Sequence, residues 1–119
     1  MTAFNPALVE EAFEDDVEGA AEFLRSVIGR LRENAGRVRS SAQSGDATTV
    51  QAAAHAAKGS AGHLGGADVE KVAAKIELSA KDGSIEPPQV IDELDRLITS
   101  LEASAEAYIS SRAAKRESS

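Results

Sequence analysis

His55 and Lys58 stand three residues apart, with Gly59, Ser60 and Gly62 directly behind them and His63 closing the run. On a helix, this spacing brings an imidazole and an ammonium within reach of one another as i, i+3 neighbours. A solvated imidazole is largely neutral and nucleophilic near neutral pH, so it can attack an activated phosphoryl group without a general base. An ammonium beside it would neutralise charge on the phosphoryl oxygens, and Ser60 offers a hydrogen bond from a less favourable angle. The same set also suits a docking surface, and residue types alone leave both readings open.

The helix that must position these groups opens at Asp46, a capping residue, and runs to about Gly65 or Gly66. At about 100° per residue, Val50, Ala54, Ala57, Ala61 and Leu64 fall within roughly 40° of one line and form the stripe that faces a core. Measured from that line, His55 points about 140° away, Gly59 about 180° and Gly62 about 120°, while Lys58 lies about 80° off. His55 is therefore expected to project outward, with Lys58 beside it, exposed and unpaired. A glycine inside a helix costs about 1 kcal/mol relative to alanine. Because Gly59 and Gly62 lie away from the core stripe, close helix packing does not account for them. Lowering the surface around His55 for an approaching protein does.

The remaining elements are also helical. Asn5 and Pro6 start a short helix carrying Leu8, Ala12 and Phe13. From about Asp16, apolar residues from Val17 to Ala42 recur at the 3.6 period of a long amphipathic helix that closes at Ser44 and Gly45. Asp68 is expected to cap a fourth helix that stops at Asp82 and Gly83. After Pro87 and Pro88, positions from Val90 to Tyr108 trace the last one. No period-2 segment of useful length and no internal repeat is present. The expected fold is all-α, an antiparallel four-helix bundle with a short additional N-terminal helix, in one domain over residues 1–112, followed by a frayed tail over residues 113–119.

Composition narrows the function classes. The 119 residues leave no room for separate nucleotide-binding and substrate-binding domains. Alanine occurs 23 times and aromatics make up only 3%, which favours close-packed helices over a β-sandwich. A formal charge of −7 disfavours nonspecific binding to nucleic acid or anionic lipid and makes a protein the expected partner. Zero cysteines exclude disulfides and thiolate zinc sites. With no secretory leader pattern and no membrane-span-length apolar run, a cytoplasmic location is expected.

The run His55-Ala56-Ala57-Lys58-Gly59-Ser60-Ala61-Gly62-His63-Leu64-Gly65, preceded by Ala53-Ala54 and followed by Ile76-Glu77, resembles the signature of histidine-containing phosphotransfer (HPt) domains of two-component phosphorelays. The helix pattern extends that resemblance over roughly Asn5 to Arg112, and His63 departs from the small or amide residue common there. The resemblance implies a phosphocarrier, not an enzyme, that passes a phosphoryl group between receiver-domain aspartates. His55 would be the phosphoacceptor, Lys58 the charge-stabilising neighbour and Gly59 the clearance residue, with Gly62 and Ser60 on the partner-binding surface. Implied partners are response-regulator receiver domains and a hybrid histidine kinase.

Rival chemistries fit less well. His55 and His63 are about 12 Å apart along a helix axis and about 80° around it, so one helix cannot bring both to one metal ion. Without a strand and phosphate loop, no ATP site or autokinase activity is expected. The chain is expected to bind no cofactor of its own, and the Mg2+ used in transfer would sit in the receiver's acidic pocket. Arg25, Arg30, Arg32, Arg37 and Arg39 crowd one helix without aromatic interleaving and read as a solvated face, with a lesser role in receiving an acidic partner. The function from a different class is a noncatalytic four-helix adaptor that binds a partner through the same face. Phosphotransfer competence separates the two, and a monomer is expected in either case.

Overall fold

The computed structural model describes residues 4–118, with side chains through Lys115. Its helices are α1 (Pro6–Phe13), α2 (Val17–Gln43), α3 (Ala47–His63), α4 (Ala67–Lys81) and α5 (Pro88–Ser118), and no strand occurs among the described residues. Helix α3 packs between α2 and α4, and α5 closes the ring against both α2 and α4, giving an antiparallel four-helix bundle with α1 laid against α2. The bundle is elongated, 54 × 21 × 19 Å.

Local chemistry sets the helix starts. Asn5, Asp16 and Asp46 cap α1, α2 and α3, their side-chain oxygens accepting from the backbone N–H of Ala7, Gly19 and Thr49 at 3.2, 2.9 and 3.1 Å. At α4 the expected cap is corrected. Gly66, not Asp68, is the N-cap, and Asp68 lies in the first turn, where its charge meets the positive end of the helix. A glycine brings no capping side chain, and a Cβ at Gly66 would lie 2.9 Å from Leu101 Cδ2. Gly65 takes φ +69°, and a Cβ there would lie 2.7 Å from Asn5 Cβ. The N-terminal segment is strapped to that turn by the Asn5 N–H, which donates to the Leu64 carbonyl at 2.9 Å.

Helix α5 runs past Arg112 to Ser118. Ala113, Ala114 and Lys115 are strong helix formers, and extending a helix already nucleated by packing costs little. Ser119 lies outside the described residues.

Leu24, Leu31, Leu64, Ile76, Leu94, Ile98 and Leu101 fill the core completely buried or nearly so, and α3 contributes Val50, Ala53, Ala54, Ala57 and Ala61. Alanines on the inner face of α3 let it approach its neighbours closely. Their short side chains also leave the site on its outer face near the flank of α4. No described helix is long and apolar enough to cross a membrane.

The arginines of α2 are not simply a solvated face. Arg25, Arg32 and Arg39 recur every seven residues and reach across to α5. Arg25 pairs with Glu106 at 3.0 Å, Arg32 with Glu102, and Arg39 with both Asp92 and Asp95. The Glu106 carboxyl is held below the usual carboxylate range by the hydrogen bond from Arg25. Exposed pairs of this kind add little stability individually. Their regular spacing favours one register of α2 against α5.

Candidate functional site

Helix α3 presents His55 to solvent with its side chain 69% exposed, on the face opposite the buried alanines. The imidazole is nevertheless held. Its Nδ1 lies 2.7 Å from Oε2 of Glu77 on α4, a residue 22 positions along the chain. Glu77 is itself mostly buried, 17% exposed, and its other oxygen, Oε1, accepts from Lys58 Nζ at 2.8 Å. One carboxylate therefore bridges the two α3 side chains. The hydrogen bond from Lys58 is the main influence holding the Glu77 carboxyl below its usual range; the bond from His55 adds to it and burial opposes it.

This changes the assignment of Lys58. It is half-buried and ion-paired to Glu77, not exposed and unpaired. Periodicity placed it correctly on the flank of α3, but that flank faces α4, where Glu77 lies at the same level. Glu77 stands among the residues that carry the family resemblance, but the sequence pattern assigned it no role. It follows the buried Ile76, at the edge of the packed face of α4.

The remaining site residues occupy different surroundings. Gly59 is exposed, and a Cβ placed there would meet nothing within 4 Å. Gly29 and Gly36 on α2 are equally open, so openness alone does not distinguish Gly59; its position one turn after His55 does. Gly62 is exposed, and its Cβ would make ordinary contact with Glu70 Oε1 at 3.7 Å. Ser60 is half-buried, and its hydroxyl joins no hydrogen bond of the His55–Glu77–Lys58 set. His63 is the exposed last residue of α3, two turns from His55, and the two imidazoles do not converge. Among the described residues, no group of three or more His, Cys, Asp or Glu side chains is placed to hold a metal ion. On the other side of His55, Thr48, Gln51 and Ala52 line a shallow bowl with Glu77.

The geometry sets the tautomer of the ring. An ionised carboxylate only accepts hydrogen bonds, so the contact with Glu77 places the ring proton of neutral His55 on Nδ1. Nε2 then carries the free lone pair on the exposed side chain. An exposed lone pair, backed by a carboxylate and flanked by an ammonium, is chemically able to accept a phosphoryl group.

The chain matches the Hpt domain family over residues 11–106. It belongs to that family. Histidine phosphotransfer within a phosphorelay, as a carrier module and not a kinase, comes with that membership. Hpt domains work with receiver domains and histidine kinases of two-component systems. Among solved structures, histidine-containing phosphotransfer protein B (HptB) from Pseudomonas aeruginosa PAO1 is similar in fold, with a TM-score of 0.80 and 18% sequence identity over 90% of this chain and 94% of that one. No curated protein matches the chain by sequence.

Proposed function

We propose that this Hpt domain relays a phosphoryl group between receiver-domain aspartates through Nε2 of His55. The observation that carries the reading is the 2.7 Å contact from Nδ1 to Glu77 beneath an otherwise exposed imidazole.

In the accepting step, the Nε2 lone pair attacks the phosphorus of a receiver's aspartyl phosphate. The N–P bond forms as the P–O bond to the aspartate breaks, and the aspartate leaves as a carboxylate. No proton moves to or from Nε2, so no general base is required. The ring becomes a phosphorylated imidazolium that retains its Nδ1 proton, and the Glu77 carboxylate faces the positive charge that develops. Preorganised charge of this kind lowers a barrier because it needs no rearrangement as the reaction proceeds. Transfer to the next aspartate reverses these bond changes.

Lys58 supports the same chemistry. Its Nζ donates one hydrogen bond to Glu77, leaving two ammonium protons for phosphoryl oxygens. The Mg2+ that assists transfer belongs to the receiver's acidic pocket. Gly59 and Gly62 on one side of His55, and Ala52 on the other, keep the approach to the imidazole low.

The test is phosphotransfer from a radiolabelled phospho-receiver. Label is expected on His55 alone, acid-labile and base-stable as a phosphoramidate, and absent from His55→Gln. Label that survives His55→Gln, or that shows the opposite stability, overturns the assignment. Calorimetry should show no saturable binding of ATP to the isolated protein, and self-labelling with ATP would replace the carrier reading with that of an enzyme.

A further inference from the structure

The chain is acidic overall, yet the helix that carries His55 is not. Helix α3 contains no Asp or Glu in its 17 residues. Beside it, the solvent-facing ridge of α4 carries Lys71, Lys75 and Lys81, all exposed and none in an ion pair among the described residues. On the opposite side of the bundle the arginines behave differently, Arg25, Arg32 and Arg39 being spent on carboxylates of α5.

Between Lys75 and Lys81 stands Leu78, 64% exposed. Among the described residues, only Leu8 is another large exposed hydrophobic, and its Cδ1 lies against the α3–α4 turn, 3.4 Å from where a Gly65 Cβ would be. Leu78 is the more exposed of the two. Two contacts fix its level against α3. Glu77 is opposite His55, and Glu70 lies beside Gly62, seven residues on in one helix and seven back in the other. In this antiparallel register Leu78 lies level with His55, with Lys75 and Lys81 to either side. The ridge ends at Asp82, where the helix stops.

We propose that this α4 ridge is a docking element for the receiver domain, with Leu78 entering an apolar depression on the receiver and Lys75 and Lys81 facing carboxylates around it. The partner follows from the proposed function, on which this inference rests. A receiver approaches His55 with an acidic phosphorylation pocket, and a cationic ridge level with the imidazole complements the rim of that pocket. Charges at an interface rim chiefly govern encounter and its salt dependence, while a central apolar anchor governs residence. The ridge side chains do not touch the imidazole, so they set affinity and leave the chemical step alone.

The experiment is single-turnover transfer from a phospho-receiver that labels His55, with receiver concentration varied, for wild type, Leu78→Gln, Leu78→Ala and the double variant Lys75→Glu/Lys81→Glu. The half-saturating concentration should rise about tenfold in the Leu78 and charge variants, with the saturating rate within about twofold of wild type. Added salt should raise the half-saturating concentration of wild type more than that of a Lys75→Ala/Lys81→Ala variant. All the substituted side chains are exposed, so thermal unfolding should remain at the wild-type midpoint. Unchanged half-saturation in the Leu78 and charge variants overturns the docking role, as does a reduced saturating rate at unchanged half-saturation. If no receiver labels His55, the proposed function itself fails and the docking role falls with it.

Discussion

Glu77 meets His55 across the seam between α3 and α4, its Oε2 2.7 Å from Nδ1, while its Oε1 holds Lys58 at 2.8 Å. The carboxylate thus sets the tautomer of the imidazole and the position of the neighbouring ammonium. Both α3 residues depend on one side chain of another helix.

Replacing Glu77 separates this role from a packing role. Glu77→Gln keeps the shape and removes the charge facing the developing imidazolium. Loss of a charge-assisted contact worth roughly 1.5 to 3 kcal/mol should slow transfer about ten- to a hundredfold. Nitrogen NMR of the imidazole supplies a readout that packing alone would not move. Wild type should show a neutral tautomer protonated at Nδ1, and Glu77→Ala should shift the ring towards the Nε2-protonated form. An unchanged tautomer in Glu77→Ala would remove Glu77 from the mechanism.

Lys58→Ala should act on both the rate and Glu77. Its side chain is 37% exposed, so the lost pair should cost stability no more than about 1 kcal/mol. Transfer should slow by about ten- to a hundredfold if the ammonium also meets the phosphoryl oxygens. Lys58→Arg keeps the charge and the pairing with Glu77 and should recover part of the rate. Wild-type rates in Lys58→Ala, with His55 still labelled, would reduce Lys58 to a structural partner of Glu77.

Stability should fall in acid partly through Glu77. Its carboxyl is held below the usual range chiefly by Lys58, so the folded state favours the ionised form. That contribution is fully present above the unfolded carboxylate value of about 4.3 and is lost as pH falls through the lower folded value. Denaturant melts from neutral to acid pH should therefore show a shallower loss in Glu77→Gln than in wild type. Parallel curves for the two proteins would contradict the depressed carboxyl.

Gly59 allows folding and function to be pulled apart. With nothing within 4 Å of its Cβ position, Gly59→Ala should raise stability by about 1 kcal/mol, read as an increase in melting temperature. Gly59→Gln should fold equally well yet slow transfer by obstructing the approach to His55. If the bulky variant transfers at the wild-type rate, clearance is not the reason for a glycine there.

Much of the bundle is legible along the chain because it is written in contiguous residues. Apolar positions recur at the helical period, Asn5, Asp16 and Asp46 mark helix starts, and the stripe from Val50 to Leu64 turns His55 outward. These are properties of a single helix and its caps, decided by backbone geometry within a few residues. Helix partners are another matter. The α4 cap is Gly66 and not Asp68, at a position where a Cβ would lie 2.9 Å from Leu101 Cδ2 on α5. Arg25 and Glu106, 81 residues apart, became a pair only when α2 and α5 lay side by side. Glu77 reached His55 and Lys58 for the same reason. The period of one helix specifies the direction of its side chains but not the register of the neighbour opposite. That register is settled by packing of the whole core, and it is what turned an exposed histidine and a flanking lysine into a site joined by one carboxylate.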